Sequence, residues 1–457
     1  MPIADELARF VVRASYHDLS AAAREALKVR VLDALGCALG ALDAELLTAV
    51  LAQIAEFGGA SHCTLIGGGR TAPDRAALYN SALIRYLDFN DSYLAPGETC
   101  HPSDNLGAVL AGAEYAGRRG RELLTALAVA YQVQCRLSDV APVRARGFDH
   151  VTHGAYSIAA GISKALGLEA PAVANALAMC GAAFNALRVT RTGGLSHWKG
   201  LAFPNAAFAC THATFLAKRG LTAPAEVFEG NKGFMDAIAG PFTINWANED
   251  LERVTQTIVK RFNAEVHAQS AIEGVLELKE AHGIRGPDVD RVDIDIFDVA
   301  YHIIGGGEEG DKRRVRTKEE ADHSLPYMIA VALLDGEVTP AQYRPERIRS
   351  NDVQSLLQRV TVRPRPEYSR QFPQRMPCAI RIHRRAGGTV GVEKLDYAGF
   401  HTRPLAWTGA VEKFHRVAAQ HADPDLRRAL IHAIAHLDDI SIAELMRLLA
   451  TARRGTP

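Results

Sequence analysis

The feature that most restricts the fold is a change of hydrophobic period. Up to about residue 270, apolar side chains recur every three or four positions, which puts them on one face of a helix. At 289–299 the chain reads VDRVDIDIFDV, alternating apolar and acidic residues with period two, the pattern of a half-buried strand. After Pro404 the helical period returns. Neither an all-helical nor an all-strand fold satisfies both patterns. The sequence therefore predicts a large helical domain and a smaller α+β unit inserted late in the chain.

Ser20 caps a helix beginning at Ala21, and further helices are expected near 44–57, 73–87, 103–116, 121–137, 151–166, 170–186 and 205–219. Repeated Ala and Gly on these segments let neighbouring backbones approach closely. SHCTLIGGG (61–69) reads as extended. In the later part a helix is expected at 321–334, with three strands in RVTVRPR, CAIRIHRR and TVGVEKLDY joined by short turns. Three helices follow, in TGAVEKFHRVAAQ, PDLRRALIHAIAHL and SIAELMRLLATAR.

Charge adds exclusions. Lys plus Arg equal Asp plus Glu, 52 against 52, so net charge gives no drive toward nucleic acid or a membrane surface. Hydrophobic runs are broken by charge before they reach spanning length, and MPIADELARFVVRAS lacks a signal-type apolar core. A soluble, cytoplasmic protein is expected. The seven cysteines (37, 63, 100, 135, 180, 210, 378) form no CxxC pair, which argues against a zinc or iron–sulfur site and for a reducing compartment. No metal and no cofactor are expected.

The densest chemistry lies in Leu87–Asn105, LDFNDSYLAPGETCHPSDN. Asp88, Asp91, Ser92 and His101 fall on one connection between two apolar helices, with Pro102-Ser103 as helix-start residues after the imidazole. Such groups can hold and transfer protons; turns and caps explain the same residues equally well. A second stretch, ALRVTRTGGLSHWKGLAFPNAA, carries the cations Arg191, His197 and Lys199 beside Gly193-Gly194, with a helix expected to start near Pro204-Asn205. His150 precedes a helix of small residues, with His153 one turn further.

DFND followed by HPSDNLGAVLA resembles the signature of the MmgE/PrpD family, and GLSHWKGLAFPNAA, FNAEVHAQSAIEGVL, ADHSLPYMIAVALLDGEVT and RPLAWTGAVEKF resemble further blocks in the family order. The resemblance implies a mainly α fold in which the last helices pack back onto the first, making the helical domain discontinuous; with boundaries taken from the change of period, that domain is 1–267 and 402–457, around an α+β lid domain, 268–401. It implies a homodimer and a metal-independent hydro-lyase acting on a 2-methylcitrate-like tricarboxylic acid. A cis-aconitate-type decarboxylase, an isomerase or epimerase of a small dicarboxylate, and a non-catalytic helical binding protein are the alternatives. Asp88, His101, His150 and Lys199 are the catalytic candidates it marks; Asp91, Ser92, Arg191, His197, His267 and Tyr327 are expected to bind substrate.

Overall fold

The structure, a computed structural model, describes residues Met1–Arg453. The chain divides into two compact units: Met1–Val189, Gly200–Thr257 and Ala406–Pro457 form the first, Thr190–Lys199 and Ile258–Leu405 the second. The period change predicted boundaries at 267 and 402, and the observed division comes ten residues earlier on one side. Residues 258–265 are irregular and carry no period, but their backbone bonds run to the second unit: Val259 N to Gly399 O (3.0 Å), Asn263 N to Val338 O (3.0 Å) and Glu265 N to Asp322 O (3.1 Å).

The first unit is helical. Ser20 Oγ accepts from Ala23 N (3.0 Å) and opens the helix Ala21–Gly40. Its second half is buried on every face, so this is a core helix rather than an amphipathic one. The reason for its small residues is the C-terminal helix Trp407–Ala418: a Cβ on Gly36 would stand 3.0 Å from Phe414, and one on Gly40 2.5 Å from Val417. Lys413 of that helix pairs with buried Asp33 (2.7 Å). Gly107 likewise lets the helices Pro73–Tyr86 and Leu106–Tyr115 approach, since a Cβ there would meet Ser81 N at 2.4 Å. Among the described residues no single helix is long and apolar enough to cross a membrane; Ala21–Gly40 and Glu45–Phe57 pass only as a pair, bent by 88°.

Two local expectations need correction. Residues 87–105 are not a plain loop. They contain a short hairpin, Tyr93–Ala95 against Glu98–Cys100, closed by Gly97 at φ +80°. Gly97 supplies the left-handed turn that a two-residue Pro-Gly connection needs. The helix expected from Asn205 begins at Trp198 and runs to Lys218 with Pro204 inside it. Pro204 removes one early backbone bond, a loss a 21-residue helix tolerates.

The second unit is a four-stranded sheet with helices. In spatial order the strands are Val360–Pro364, Val289–Ile296, Cys378–Arg384 and Thr389–Lys394. Val289–Ile296, the period-two segment, is central. It pairs parallel with Val360–Pro364 and antiparallel with Cys378–Arg384. Parallel pairing demands a long crossover, so only the 384–389 connection is a short turn; RVTVRPR does not form a hairpin with CAIRIHRR. Val292, Ile294 and Ile296 are buried, while Asp293 and Asp295 turn to the other face and meet His383 and Arg381 (both 2.9 Å). The helix Gln269–His282 lies on this sheet at Gly274, where a Cβ would come 2.5 Å from Ile380.

Candidate active site

In the helical unit the helix Pro73–Tyr86 ends one residue before Leu87, and Asp88 then takes a left-handed φ of +54°. Asp tolerates that region better than most residues, and the buried guanidinium of Arg85 holds its carboxylate at 2.7 Å. Arg85 Nε also stands 3.5 Å from Asp104, so one cation serves two carboxylates. Asp91 points elsewhere. Its two oxygens accept from Ser103 N (3.0 Å) and the Tyr131 hydroxyl (2.8 Å). Burial pushes the Asp91 carboxyl up, and the Ser103 and Tyr131 hydrogen bonds only partly offset this. Asp88 and Asp91 therefore share no helical face.

His101 heads the short helix Pro102–Asn105. Its Nδ1 lies 2.9 Å from the Asp91 carbonyl and 3.0 Å from Ser92 Oγ. A carbonyl can only accept, so in the neutral ring the proton sits on Nδ1 and the lone pair on Nε2. The His150 ring lies 5.3 Å from the His101 ring, edge on at 76°. His150 also stacks on Phe203 (6.4 Å) and has Asp149 3.5 Å from Nε2; Arg188 stands 3.5 Å from the other Asp149 oxygen. His153 is turned into the scaffold. Its Nε2 donates to the Ala141 carbonyl (2.8 Å), and burial lowers its pKa to about 4. Of the two candidate histidines, His150 is the one beside His101.

The second unit gathers cations. Lys199 Nζ lies 2.5 Å from Asp322 Oδ1 and 2.8 Å from His323 Nδ1, with Lys318 2.8 Å from the other Asp322 oxygen. Burial alone would raise Asp322, but Lys199, Lys318 and His323 hold it well below the usual carboxylate range. His323 Nδ1 is also 2.9 Å from Asp322 Oδ1. That nitrogen can donate to Asp322 or accept from Lys199, and one proton decides which.

Nearby in the chain, Glu265 uses both oxygens on His267, accepting from its Nδ1 (2.7 Å) and its backbone N–H (2.8 Å). Burial opposes this charge, yet His267, His323 and Lys260 pull Glu265 down to about 2. The His267 ring sits between Phe297 and Phe372, 5.6 and 5.5 Å away. Lys312 is buried as well; burial lowers its pKa against the pull of Glu309, Glu265, Asp322 and Glu320.

Other expected binding residues fare differently. Arg191 is buried, whereas His197 is exposed on the glycine loop. Tyr327, expected to bind substrate, has its polar and ring contacts within the protein. It is fully buried in the helix Leu325–Asp335, its hydroxyl donates to the Gln342 carbonyl, and its ring packs on Tyr343.

This arrangement can be set beside known proteins. Residues 5–247 match the MmgE/PrpD N-terminal domain, and residues 262–439 match the MmgE/PrpD C-terminal domain. The chain belongs to the MmgE/PrpD family. A 2-methylcitrate dehydratase of Cupriavidus necator is 28% identical over 464 residues, covering 92% of this chain and 91% of that protein. One of Salmonella typhi is 26% identical over 424 residues, covering 86% and 85%. An alkylcitrate dehydratase of a fungal species is 26% identical over 484 residues, covering 97% and 92%.

Within this MmgE/PrpD chain, sequence reasoning passed over Arg85, Asp104, Tyr131, Asp149, Glu265, Asp322 and His323. Some signals were present: the dipeptide Asp-His occurs at 149–150 and 322–323, and Glu265 stands two before His267. A carboxylate so near an imidazole is a natural orienting partner. Arg85 stands only three residues before Asp88, a spacing that carried a signal, whereas Tyr131 gave none, because its partner Asp91 is forty residues away and is met only through packing.

Proposed function

We propose that the chain dehydrates a 2-methylcitrate-like tricarboxylic acid without a metal. The observation that carries this reading is the His101–His150 pair, two buried imidazoles with ring centres 5.3 Å apart. The Nδ1–H of His101 is given to the Asp91 carbonyl, which leaves Nε2 as the base. It removes the proton from a carbon next to a carboxylate. His150, with Asp149 beside it as the counter-charge of an imidazolium, donates a proton to the hydroxyl on the neighbouring carbon. The C–O bond breaks, a C=C bond forms, and water leaves.

Negative charge building on the carboxylate is offset by Lys199, whose buried ammonium takes the role a Lewis-acid cation plays elsewhere. Asp88 and Ser92 orient the histidine loop; Arg191 and His267 bind substrate carboxylates. The names of the relatives support the substrate class. A homodimer through the helical unit completes the reading. It is supported by the family likeness and by Leu187 and Val189, both more than half exposed at 58% and 68%.

The test is turnover of methylcitrate, citrate and cis-aconitate, followed by the absorbance of the new double bond and by carbon dioxide release. Dehydration is expected to persist after exhaustive chelation. Loss of activity with chelator, restored by a divalent ion, contradicts the metal-free mechanism, and carbon dioxide from cis-aconitate makes the chain a decarboxylase. Sedimentation at micromolar concentration checks the dimer; a monomer alone rejects it.

A further inference from the structure

The proposed mechanism uses His101 and His150 but leaves unexplained a buried acid between the segments that carry them. Glu98 is 4% exposed and sits on the second strand of the hairpin, three residues before His101. Its Oε2 accepts from the backbone N–H groups of Val143 (3.3 Å) and Arg144 (3.1 Å), and its Oε1 from Thr99 N (3.1 Å). Val143 and Arg144 open the short turn Arg144–Arg146, which Gly147 (φ +83°) closes ahead of Asp149 and His150.

We propose that Glu98 is a positioning residue: its carboxylate ties the hairpin leading to His101 to the turn leading to His150, and so sets how the two imidazoles meet. This rests on the reading of those histidines as the acid/base pair.

The charges around Glu98 make the tie sensitive to pH. Asp149 opposes its ionisation, whereas Arg188 and the Thr99 and Arg144 N–H groups favour it. On the other strand of the hairpin Tyr93 donates to Asp139 (2.8 Å), which pairs with Arg136 (3.0 Å) and Arg253 (3.2 Å). Burial and Asp149 prevail and raise Glu98 to about 7. Ionised, both oxygens accept with the help of the negative charge; protonated, one oxygen also becomes a donor, and the three N–H bonds lose that charge assistance and weaken. The tie loosens as pH falls through neutrality.

The experiment compares Glu98→Gln, Tyr93→Phe and wild type. Glu98→Gln is expected to lower kcat by about 10- to 100-fold, the scale of a small misplacement of reacting groups, with KM little changed. It should also remove an ionisation near pH 7 from the acidic limb of the kcat profile. Tyr93→Phe loosens the other strand of the same hairpin without touching the tie. It should reduce stability and leave the shape of the profile alone.

A readout without turnover separates this proposal from the proposed reaction. In wild type the amide protons of Val143 and Arg144, and the Cε1 signals of labelled His101 and His150, should share an inflection near pH 7. In Glu98→Gln that inflection should vanish. An unchanged profile in Glu98→Gln, the same change in Tyr93→Phe, or no shared inflection in wild type overturns the tie. If the inflection is found but no tricarboxylate is dehydrated, the reaction assignment fails and the tie stands. Should Glu98→Gln not fold, the wild-type amide titration still decides.

Discussion

Glu98 in the helical unit and Glu265 in the α+β unit are both buried and both lie just before a histidine, yet Glu98 is raised to about 7 and Glu265 lowered to about 2. Burial pushes both upward, so burial is not the difference. Glu98 faces another carboxylate, Asp149, and is held mainly by backbone N–H groups. Glu265 faces His267, His323 and Lys260. The contrast extends to their neighbours. Burial raises Asp33 and Asp91 in the first unit, whereas Asp322 and Glu273 in the second are lowered by lysine, arginine and histidine partners. In these pairs the raised acids lack a cation strong enough to offset burial, whereas the lowered ones have it. On the proposed reading, the proton-transfer candidates lie in the first unit and the cationic candidates in the second.

The sharpest way to break this division is by kinetics. His101→Gln should lower kcat by roughly 10²–10⁴-fold with little change in KM, the scale of a lost general acid or base. Lys199→Met should raise KM and lower kcat together, because the lysine is proposed both to hold a substrate carboxylate and to offset charge. If steady-state kinetics show the two variants with one and the same pattern, the division of labour is wrong. Each must first be shown folded by circular dichroism.

Stability against pH sharpens the comparison. For Glu265 the folded value is depressed, so its contribution is complete above about pH 4.5 and is lost as pH falls toward about 2. A shift of that size corresponds to ~3 kcal/mol. For Glu98 the folded value is raised, so the native state holds an extra proton between about pH 4.5 and 7, and stability falls by a similar ~3 kcal/mol as pH rises through that window. Urea unfolding over a pH series should show Glu265→Gln flattening the acid limb and Glu98→Gln flattening the neutral one. Opposite signs are the essential outcome.

The smallest effect on turnover is expected from His153→Gln. This ring is committed to Ala141, so the folded variant should stay within a small factor of wild type in kcat while losing about 1–3 kcal/mol of stability. Collapse of its turnover, with a His150 variant unaffected, would reverse the assignment of the two histidines.

Much of the fold was legible because periodicity is local. The Ser20-capped helix, the helix at 151–166 and the strand at 289–296 each declare themselves within their own residues. The parallel pairing of Val360–Pro364 was not legible, since a strand's own pattern says nothing about its partner's direction. In the candidate site, the motif residues can be named from the sequence, but the partners of each are set only in three dimensions. Asn90 shows why. In sequence it is one polar residue among several; in the structure its amide donates to Ser103 Oγ (2.8 Å) and Asp104 Oδ1 (2.7 Å), a bond to a carboxylate that an ionised aspartate could not make.

The sequence by itself determined the order of helical and strand segments, the family likeness, and the two stretches where acids, imidazoles and cations collect. These follow from period, capping and motif, which act over a few residues. Only the tertiary structure decided that His150 rather than His153 meets His101, that the Tyr327 hydroxyl is given to the Gln342 carbonyl, and that Glu98 rises while Glu265 falls. Those outcomes depend on partners distant in the chain. A buried charge takes its protonation from whichever groups the fold sets within a few ångströms of it.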